Sequence, residues 1–240
     1  MKKLSFLFST VASLLLIFAI LVTSVQIVAF DYPFYEREYS KLNVTQYTLM
    51  EYDELMRVTE YLLDYVQGRH DKLDVRAVLA GKERTVFNER DQAHMVDVQA
   101  LYLGVSKGRW YSFAIAAALY ALAALTAKKG RRLRTLAKGY ITGAVLYLLA
   151  FAVIGVWAVV DFTQFWTTFH ELVFSNDLWL LDPRISVLIN MYPETFFYDM
   201  VLRIVASAAG ALVMLTIISA AAISADKRRQ KRAVNNGGTL

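Results

Sequence analysis

The chain has 240 residues, of which 57% are hydrophobic, and a mean hydropathy of +0.38. A soluble domain of this length would be less apolar, so the composition predicts a single compact membrane protein. The sequence contains no cysteine, which excludes disulfides, cysteine metal sites and a thiolate nucleophile.

Four apolar segments are long enough to cross a bilayer, which takes roughly 17–25 residues. They are residues 4–30, 110–127, 139–160 and 200–224. Lys2 and Lys3 precede the first segment and raise the alternative of a cleaved signal peptide. We interpret it as an uncleaved span, because its apolar run exceeds the roughly 7–15 residues of a signal peptide core. Arg203 lies near one end of the fourth segment, where its side chain can reach the interface.

Half of the 26 basic residues are concentrated at the amino terminus, in residues 128–138 and in residues 225–240, where they are accompanied by one acid, Asp226. The positive-inside rule therefore places these three regions in the cytoplasm and residues 31–109 and 161–199 outside. The net charge of +5 does not argue for nucleic acid binding, because the basic runs orient the chain and can contact anionic headgroups.

The sequence thus predicts a mostly α, polytopic membrane protein with a small extracytoplasmic α(+β) cap. The first transmembrane helix is residues 1–30 and the cap is residues 31–109. The second and third helices occupy residues 110–160 and are joined by the basic loop 128–138. An outer interfacial segment (161–199), the fourth helix (200–224) and a basic cytoplasmic tail (225–240) follow.

Within the cap, apolar residues recur every three or four positions from Leu49 to Tyr65, which predicts an amphipathic helix that ends at Gly68. Residues 75–79 and 84–87 flank an Ala-Gly-Lys turn and predict a short hairpin. Asn88 is predicted to cap a helix that runs through about Tyr102 and ends near Gly104.

The outer segment 161–199 carries aromatic residues at helical spacing from Phe162 to Phe174, a pattern typical of an interfacial anchor. Asp182-Pro183 predicts a helix start, and Tyr192-Pro193-Glu194 predicts the start of the last helix. Residues 233–240 are expected to be disordered.

All three histidines are predicted to lie outside. His70 is in a polar run and is interpreted as a solvated loop residue. Asp91 and Asp97 each lie three residues from His94 on a predicted helix, so a carboxylate could fix its tautomer and leave the other nitrogen to act as a base. The alternative is an ordinary helix surface with charge pairs. His170 follows the third span closely, where an ionisable group is a functional candidate; the alternative is an interfacial histidine bonded to headgroups or water.

Two other kinds of catalytic site were considered. Two histidines with nearby carboxylates could bind a metal, but the sequence has no HExxH or local His-x-x-His pair, and we favour an acid–base pair. Residues 104–108 match the pattern G-x-S-x-G around Ser106. A nucleophile elbow needs a strand before the serine, whereas a helix is predicted here, so this segment is interpreted as a linker.

Three segments carry a resemblance to a known family: RDQAHMVDV (90–98), FHELVFSNDLWLLDP (169–183) and LINMYPETFF (188–197). With the four-span layout, they resemble the bacterial lipoprotein intramolecular transacylase family, Lit, which is found in low-GC Gram-positive bacteria. Ser186 departs from the acidic residue expected after the Asp-Pro pair, which puts a secondary role of that loop in doubt.

The resemblance implies an acyltransferase of the plasma membrane that acts on diacylglyceryl-modified lipoproteins. The acyl chain on the glycerol sn-2 oxygen moves to the α-amino group of the lipidated cysteine and gives a lyso-form lipoprotein. The catalytic pair it implies is His94 and His170, with no metal and no cofactor. By sequence neighbourhood, Arg90, Asn176 and Arg184 could stabilise the oxyanion, and Asp91 and Asp97 could orient His94.

Two alternatives of other classes stay open at this point. The first is a membrane hydrolase that uses a metal or a serine, with the histidines as ligands or base. The second is a non-catalytic membrane accessory protein whose outer cap binds a partner.

Overall fold

A computed structural model describes residues 2–235. The helices are α1 (Lys2–Ala29), α2 (Tyr32–Lys41), α3 (Val44–Thr48), α4 (Tyr52–Val66), α5 (Glu89–Thr126), α6 (Arg132–Val160), α7 (Phe162–Val173), α8 (Val187–Met191) and α9 (Glu194–Asn235), and the strands are β1 (Arg76–Leu79) and β2 (Lys82–Thr85). The mostly helical fold with a small strand pair is confirmed. Disorder was expected from Ala233, but α9 continues to Asn235, and residues 236–240 lie outside the described residues.

Four of the described helices, α1, α5, α6 and α9, are long and apolar enough to cross a membrane, as predicted. At about 1.5 Å per residue, the 38 residues of α5 are much longer than a bilayer core of about 30 Å. The charged residues of α5 all occur up to Arg109, and its apolar stretch begins at Trp110. The first turns of α5, including His94, therefore lie outside the membrane-spanning segment.

The predicted end of a helix near Gly104 is wrong, because α5 runs without interruption through Gly104 and Gly108. The predicted linker at residues 104–108 is wrong for the same reason. An unbroken helix satisfies its own backbone hydrogen bonds as it enters the apolar region, whereas a break there would leave polar groups unpaired. That requirement outweighs the weak helix-breaking tendency of two glycines.

The coordinates divide into two compact units, and the first comprises residues 1–24, 108–156 and 204–240. In this unit α1 packs closely on α6. The Ser9 hydroxyl donates to the carbonyl of Leu136 over 3.0 Å, and Ser9 and Ser13 face Gly139 and Gly143 across the contact. The glycines allow this approach because they have no side chain to hold the helices apart.

The second unit comprises residues 25–107 and 157–203 and contains a hydrophobic core of aromatic and aliphatic side chains. Helix α4 buries Leu55, Val58 and Leu62, as an amphipathic helix should, and the chain leaves it at Gly68 with φ of +77°. The guanidinium of Arg203 is paired with the Asp31 carboxylate at 2.6 Å, so this cation has an acidic partner in addition to any headgroup.

Strands β1 and β2 form the predicted antiparallel hairpin, in which Leu79 pairs with Lys82. Ala80 and Gly81 both have positive φ, which suits a two-residue hairpin turn. The second strand occupies residues 82–85 rather than 84–87, because the connection has two residues, 80 and 81, whereas the prediction left four between the strands.

The predicted helix start at Asp182-Pro183 is wrong. The Asp182 carboxylate accepts from the backbone N–H of Arg184 at 2.9 Å, and its carbonyl accepts from Ser186 N–H at 2.9 Å, so the segment forms a turn. Ser186 caps the short helix α8 instead, through a 3.2 Å bond from Ile189 N–H. The predicted start of the last helix at Glu194 is confirmed.

Candidate active site

The structure brings His94 of α5 and His170 of α7 together in the second unit. Their ring centroids are 6.2 Å apart and their planes are inclined by 37°. Both side chains are buried, with 8% of each residue exposed. The Phe174 ring contacts both, at centroid distances of 5.3 Å to His94 and 5.7 Å to His170. Two imidazoles 76 positions apart in the chain thus share one apolar wall.

The His170 ring is held by a hydrogen bond and by aromatic contacts. Its Nδ1 lies 2.7 Å from the carbonyl oxygen of Trp166. Because a carbonyl only accepts, Nδ1 must carry the hydrogen, and Nε2 of the neutral ring is left with its lone pair. Trp179 stacks on the ring at 4.9 Å, and Trp166 meets it edge-on at 4.8 Å. The orientation and the tautomer of His170 are therefore both fixed.

The His94 ring has a different environment. Its Nδ1 is buried, and no residue within 2–235 offers it a hydrogen bond. The pKa of His94 is lowered to about 4, mainly by burial and next by the neighbouring His170. Asp97 raises it by a smaller amount, and Arg90 lowers it slightly. Burial also lowers the pKa of His170, against the bond to Trp166. At neutral pH both rings are uncharged, and His94 has one buried nitrogen whose hydrogen-bonding capacity is not used within residues 2–235.

The expectation that Asp91 orients His94 is corrected by the structure. The Asp91 carboxylate is completely buried and accepts from the Ser186 hydroxyl at 2.6 Å and from the backbone N–H of Asn88 at 3.2 Å. The Asn88 side chain in turn accepts from Asp91 N–H at 2.9 Å, as expected of a capping residue. Burial raises the pKa of Asp91. Asp91 therefore joins the start of α5 to α8. Its donor is Ser186, the residue that stands where the family pattern has an acidic one.

Asp97 also binds elsewhere, since its carboxylate accepts from the Asn176 side-chain amide at 2.9 Å. Its influence on His94 is electrostatic, through the effect on the pKa given above. The guanidinium of Arg90 donates to the carbonyl of Leu180 at 3.2 Å and to both the carbonyl and the carboxylate of Asp177. These contacts fasten residues 176–180 to α5, and this segment carries the Trp179 ring that stacks on His170.

The predicted oxyanion role of Arg90, Asn176 and Arg184 stays a prediction. Arg90 donates to acceptors in the segment 176–180, and Asn176 of that segment donates to Asp97 of α5. Arg184 is highly exposed and forms an ion pair with Asp182. Among the described residues it has no contact with either histidine. The first two could still direct a remaining N–H group to a substrate.

The aromatic residues around the histidines were not identified as site residues from the sequence. A signal was present for Trp166 and Phe174, which lie four residues on either side of His170 and so share its helix face. That spacing was interpreted as an interfacial anchor. Trp179 gave no such signal, because its contact depends on how the segment after α7 folds back.

The other candidate groups are placed away from this pair. The Ser106 hydroxyl lies within α5 and accepts from the Gln26 amide at 2.9 Å, so it has no strand–turn–helix setting. His70 stacks on Tyr61 at 4.2 Å. Among residues 2–235, no three His, Asp or Glu side chains are grouped so that they could bind a metal ion.

The low pKa of His94 leads to a direct prediction. NMR titration of the protein in detergent, with histidine labelled with ¹⁵N, should give His94 a midpoint near 4 instead of the usual value of about 6.5. Because the folded pKa is depressed, the stabilisation from neutral His94 is complete above about pH 6.5 and is lost as the pH falls towards 4. His94→Gln identifies the signal by removing it. A midpoint near 6.5 would contradict the buried, neutral state.

Comparison with known proteins agrees with this architecture. The profile of the family "lipoprotein intramolecular transacylase Lit" matches residues 10–197. The in meso structure of the membrane integral Lit from Bacillus cereus superposes with a TM-score of 0.76 at 21% identity, covering 96% of this chain and 100% of that one. Two structures of that protein with one histidine changed to arginine or alanine each have a TM-score of 0.69 at 22% identity. The match to the arginine variant covers 94% of this chain and 93% of that one. The match to the alanine variant covers 93% of this chain and 94% of that one.

Among curated proteins, none matches. The structural likeness establishes the fold, and the family profile covers well over half of the sequence, including both histidines. The chain therefore belongs to the lipoprotein intramolecular transacylase family, Lit, and is an acyltransferase.

Proposed function

We propose that this enzyme moves the sn-2 acyl chain of a diacylglyceryl-modified lipoprotein to the α-amino group of its lipidated amino-terminal cysteine, with His94 and His170 as the acid–base pair. The observation that carries this proposal is the pairing of two buried, uncharged imidazoles at 6.2 Å, on helix faces brought together from distant parts of the chain. The family membership fixes the class of reaction, and the pair supplies groups suited to it.

In the proposed reaction the amine nitrogen attacks the ester carbonyl carbon, and the bond from that carbon to the glycerol sn-2 oxygen breaks. The amine must lose a proton and the departing oxygen must gain one, so the net proton count is unchanged. A neutral imidazole can accept the first proton, and an imidazole N–H can supply the second. The transfer needs no water, metal or redox partner.

The geometry suits a substrate group that both rings can reach. No hydrogen bond joins the two imidazoles among the described residues, and at 6.2 Å between centroids they are close enough to act on one small polar group. Nε2 of His170 keeps its lone pair, and the buried Nδ1 of His94 has no hydrogen-bond partner within residues 2–235. Because the Nδ1 hydrogen of His170 is bonded to Trp166, neutral His170 offers a proton acceptor at Nε2 and can act as an acid only after it has accepted a proton there. Donor and acceptor belong to one lipid, so the enzyme's main task is to hold a reactive conformation.

The apolar wall around the pair supports a lipid substrate. Trp166 and Trp179 contact His170, Phe174 contacts both imidazoles, and these apolar rings would keep water from an ester bound there. A dry site strengthens each hydrogen bond to the developing oxyanion and keeps the acyl group from hydrolysis.

The position of the site in the membrane is part of the proposal. The basic loop and tail favour cytoplasmic termini, so His94 and His170 would lie on the extracytoplasmic face of a bacterial plasma membrane, where lipoproteins are anchored. The six-part layout predicted from the sequence agrees with this orientation. The substrate and the surrounding lipids are the partners that this proposal requires.

Mass spectrometry of lipoprotein amino-terminal peptides tests the activity. A bacterial host that makes only diacylglyceryl lipoproteins should yield N-acylated lyso-form peptides once this chain is expressed. Unchanged diacylglyceryl peptides, at normal levels of the membrane protein, would refute the proposal.

The two alternatives give different results in the same host. A metal-dependent hydrolase would lose activity in a chelator, and a serine hydrolase would lose it in Ser106→Ala. Either would also release free fatty acid instead of an N-acyl product. A non-catalytic accessory protein would leave the lipid pattern untouched.

A further inference from the structure

A basic pocket lies in the first unit, at the turn between α5 and α6. Its volume is about 220 Å³. The lining consists of four basic and two hydroxyl side chains: Lys128, Arg131, Arg134, Lys138, Ser5 and Thr135. No carboxylate contributes to the lining, so the chemistry of the pocket suits an anion.

The local fold explains why these cations converge. Gly130 has φ of +88° and allows the chain to turn tightly between the two helices. Arg131, Arg134 and Lys138 then follow at the spacing of one helix face, so they point to the same side of the first turns of α6. The backbone N–H groups at this helix start add the positive end of a helix dipole.

Close packing of α1 on α6 borders the pocket. The hydroxyl of Ser9 bonds to Leu136 in the next turn of α6, and Gly139 lets α1 come close at that level. Because these contacts fix the backbone beside the pocket, anion binding has to order only the basic side chains.

The charges of the pocket are mostly unbalanced within the protein. In the described part of the chain, Arg134 is the one member with an ion pair, at 3.5 Å from the Asp226 carboxylate. Lys128, Arg131 and Lys138 are exposed and have no acidic partner there. Cations held this close repel one another, and a bound anion would relieve that repulsion.

We propose that this pocket binds the phosphate of an anionic phospholipid headgroup. It lies directly after Thr126, where the apolar part of α5 ends, and therefore at the depth of the headgroups. Basic pockets between membrane-spanning helices are suited to such lipids, and ammonium and guanidinium groups form strong, charge-assisted hydrogen bonds to phosphate oxygens. The site lies in the other unit from His94 and His170, and it does not depend on the proposed acyl transfer.

Thermal unfolding of the purified full-length protein in detergent tests this, with the fluorescence of its four tryptophans as the signal. Added phosphatidylglycerol should raise Tm with saturation, whereas phosphatidylcholine should not. In Arg131→Gln/Lys138→Gln the half-saturating lipid concentration should rise by roughly tenfold or more, because each basic residue near a lipid surface contributes to the attraction. Lys227→Gln/Arg229→Gln removes the same charge outside the pocket and should behave as the wild type.

Each other outcome overturns the proposal. Equal protection by both lipids, or an equal loss of protection in the two double variants, would show that no specific headgroup site exists. Protection by inorganic phosphate at the same concentration would assign the pocket to a free anion and not to a lipid. The lipid-dependent rise in Tm of each variant is measured from its own Tm without lipid, which separates binding from folding.

Discussion

Replacing either His94 or His170 with alanine is expected to remove the lyso-form peptides from the host described above. General acid–base catalysis contributes roughly 10²–10⁴-fold to a rate, so each single variant should retain at most about a hundredth of the wild-type yield. The double variant should be no worse than either single one, because the two imidazoles act as a unit.

His70→Ala is the matched control for this experiment. His70 belongs to the same unit but stacks on Tyr61 and has no contact with the pair among the described residues. Its replacement should leave the peptide pattern unchanged. Wild-type yields from either His94→Ala or His170→Ala, at equal membrane levels, would exclude the acid–base role of that histidine.

Replacing Gly139 with alanine is expected to be the most damaging change to the membrane-embedded fold. A β-carbon at this position would come within 2.9 Å of the Ser9 backbone carbonyl carbon and closer still to the Ser9 side chain. Side-chain rotation cannot relieve an overlap with backbone, so α1 and α6 must separate. Overpacking of this kind costs about 1–3 kcal/mol or more.

Thermal unfolding in detergent measures the effect of this change. Gly155→Ala is the control on the same helix, since a β-carbon there meets no atom within 4 Å. Gly139→Ala should lower Tm by several degrees, and Gly155→Ala should leave it unchanged. If Gly139→Ala unfolds at the wild-type temperature, the close contact between α1 and α6 is not present in the protein.

The sequence was sufficient for the features that depend on composition and short-range periodicity. Four apolar runs predicted the four candidate spans, because a bilayer imposes a minimum length on any segment that crosses it. The amphipathic repeat before Gly68, the hairpin turn and the capping role of Asn88 were also readable, since each depends on residues within a few positions of one another. The predicted breaks at Gly104 and at Asp182-Pro183 failed because surrounding structure outweighed a weak local preference.

In the candidate site too, the sequence predicted local features and the tertiary structure decided the contacts between distant residues. The sequence indicated His94 through the carboxylates three residues away on either side and His170 through its position just after the third span, and the family resemblance made them a pair. It paired Asp91 and Asp97 with His94 from their spacing on one helix. In the structure these two carboxylates accept hydrogen bonds from Ser186 and Asn176, which lie 95 and 79 positions further along the chain. Spacing on a helix shows which side chains can meet but not which competing partner will be preferred.

What the sequence alone determined is thus the set of membrane-spanning segments, because hydropathy acts over a few helical turns, whereas His94 and His170 were proposed as a pair through the resemblance to a known family. Only the tertiary structure decided their 6.2 Å separation, the aromatic wall that Trp179 completes and the burial that keeps both rings uncharged. These depend on the packing of segments distant in the chain, and the desolvation that sets a pKa exists only once they have packed.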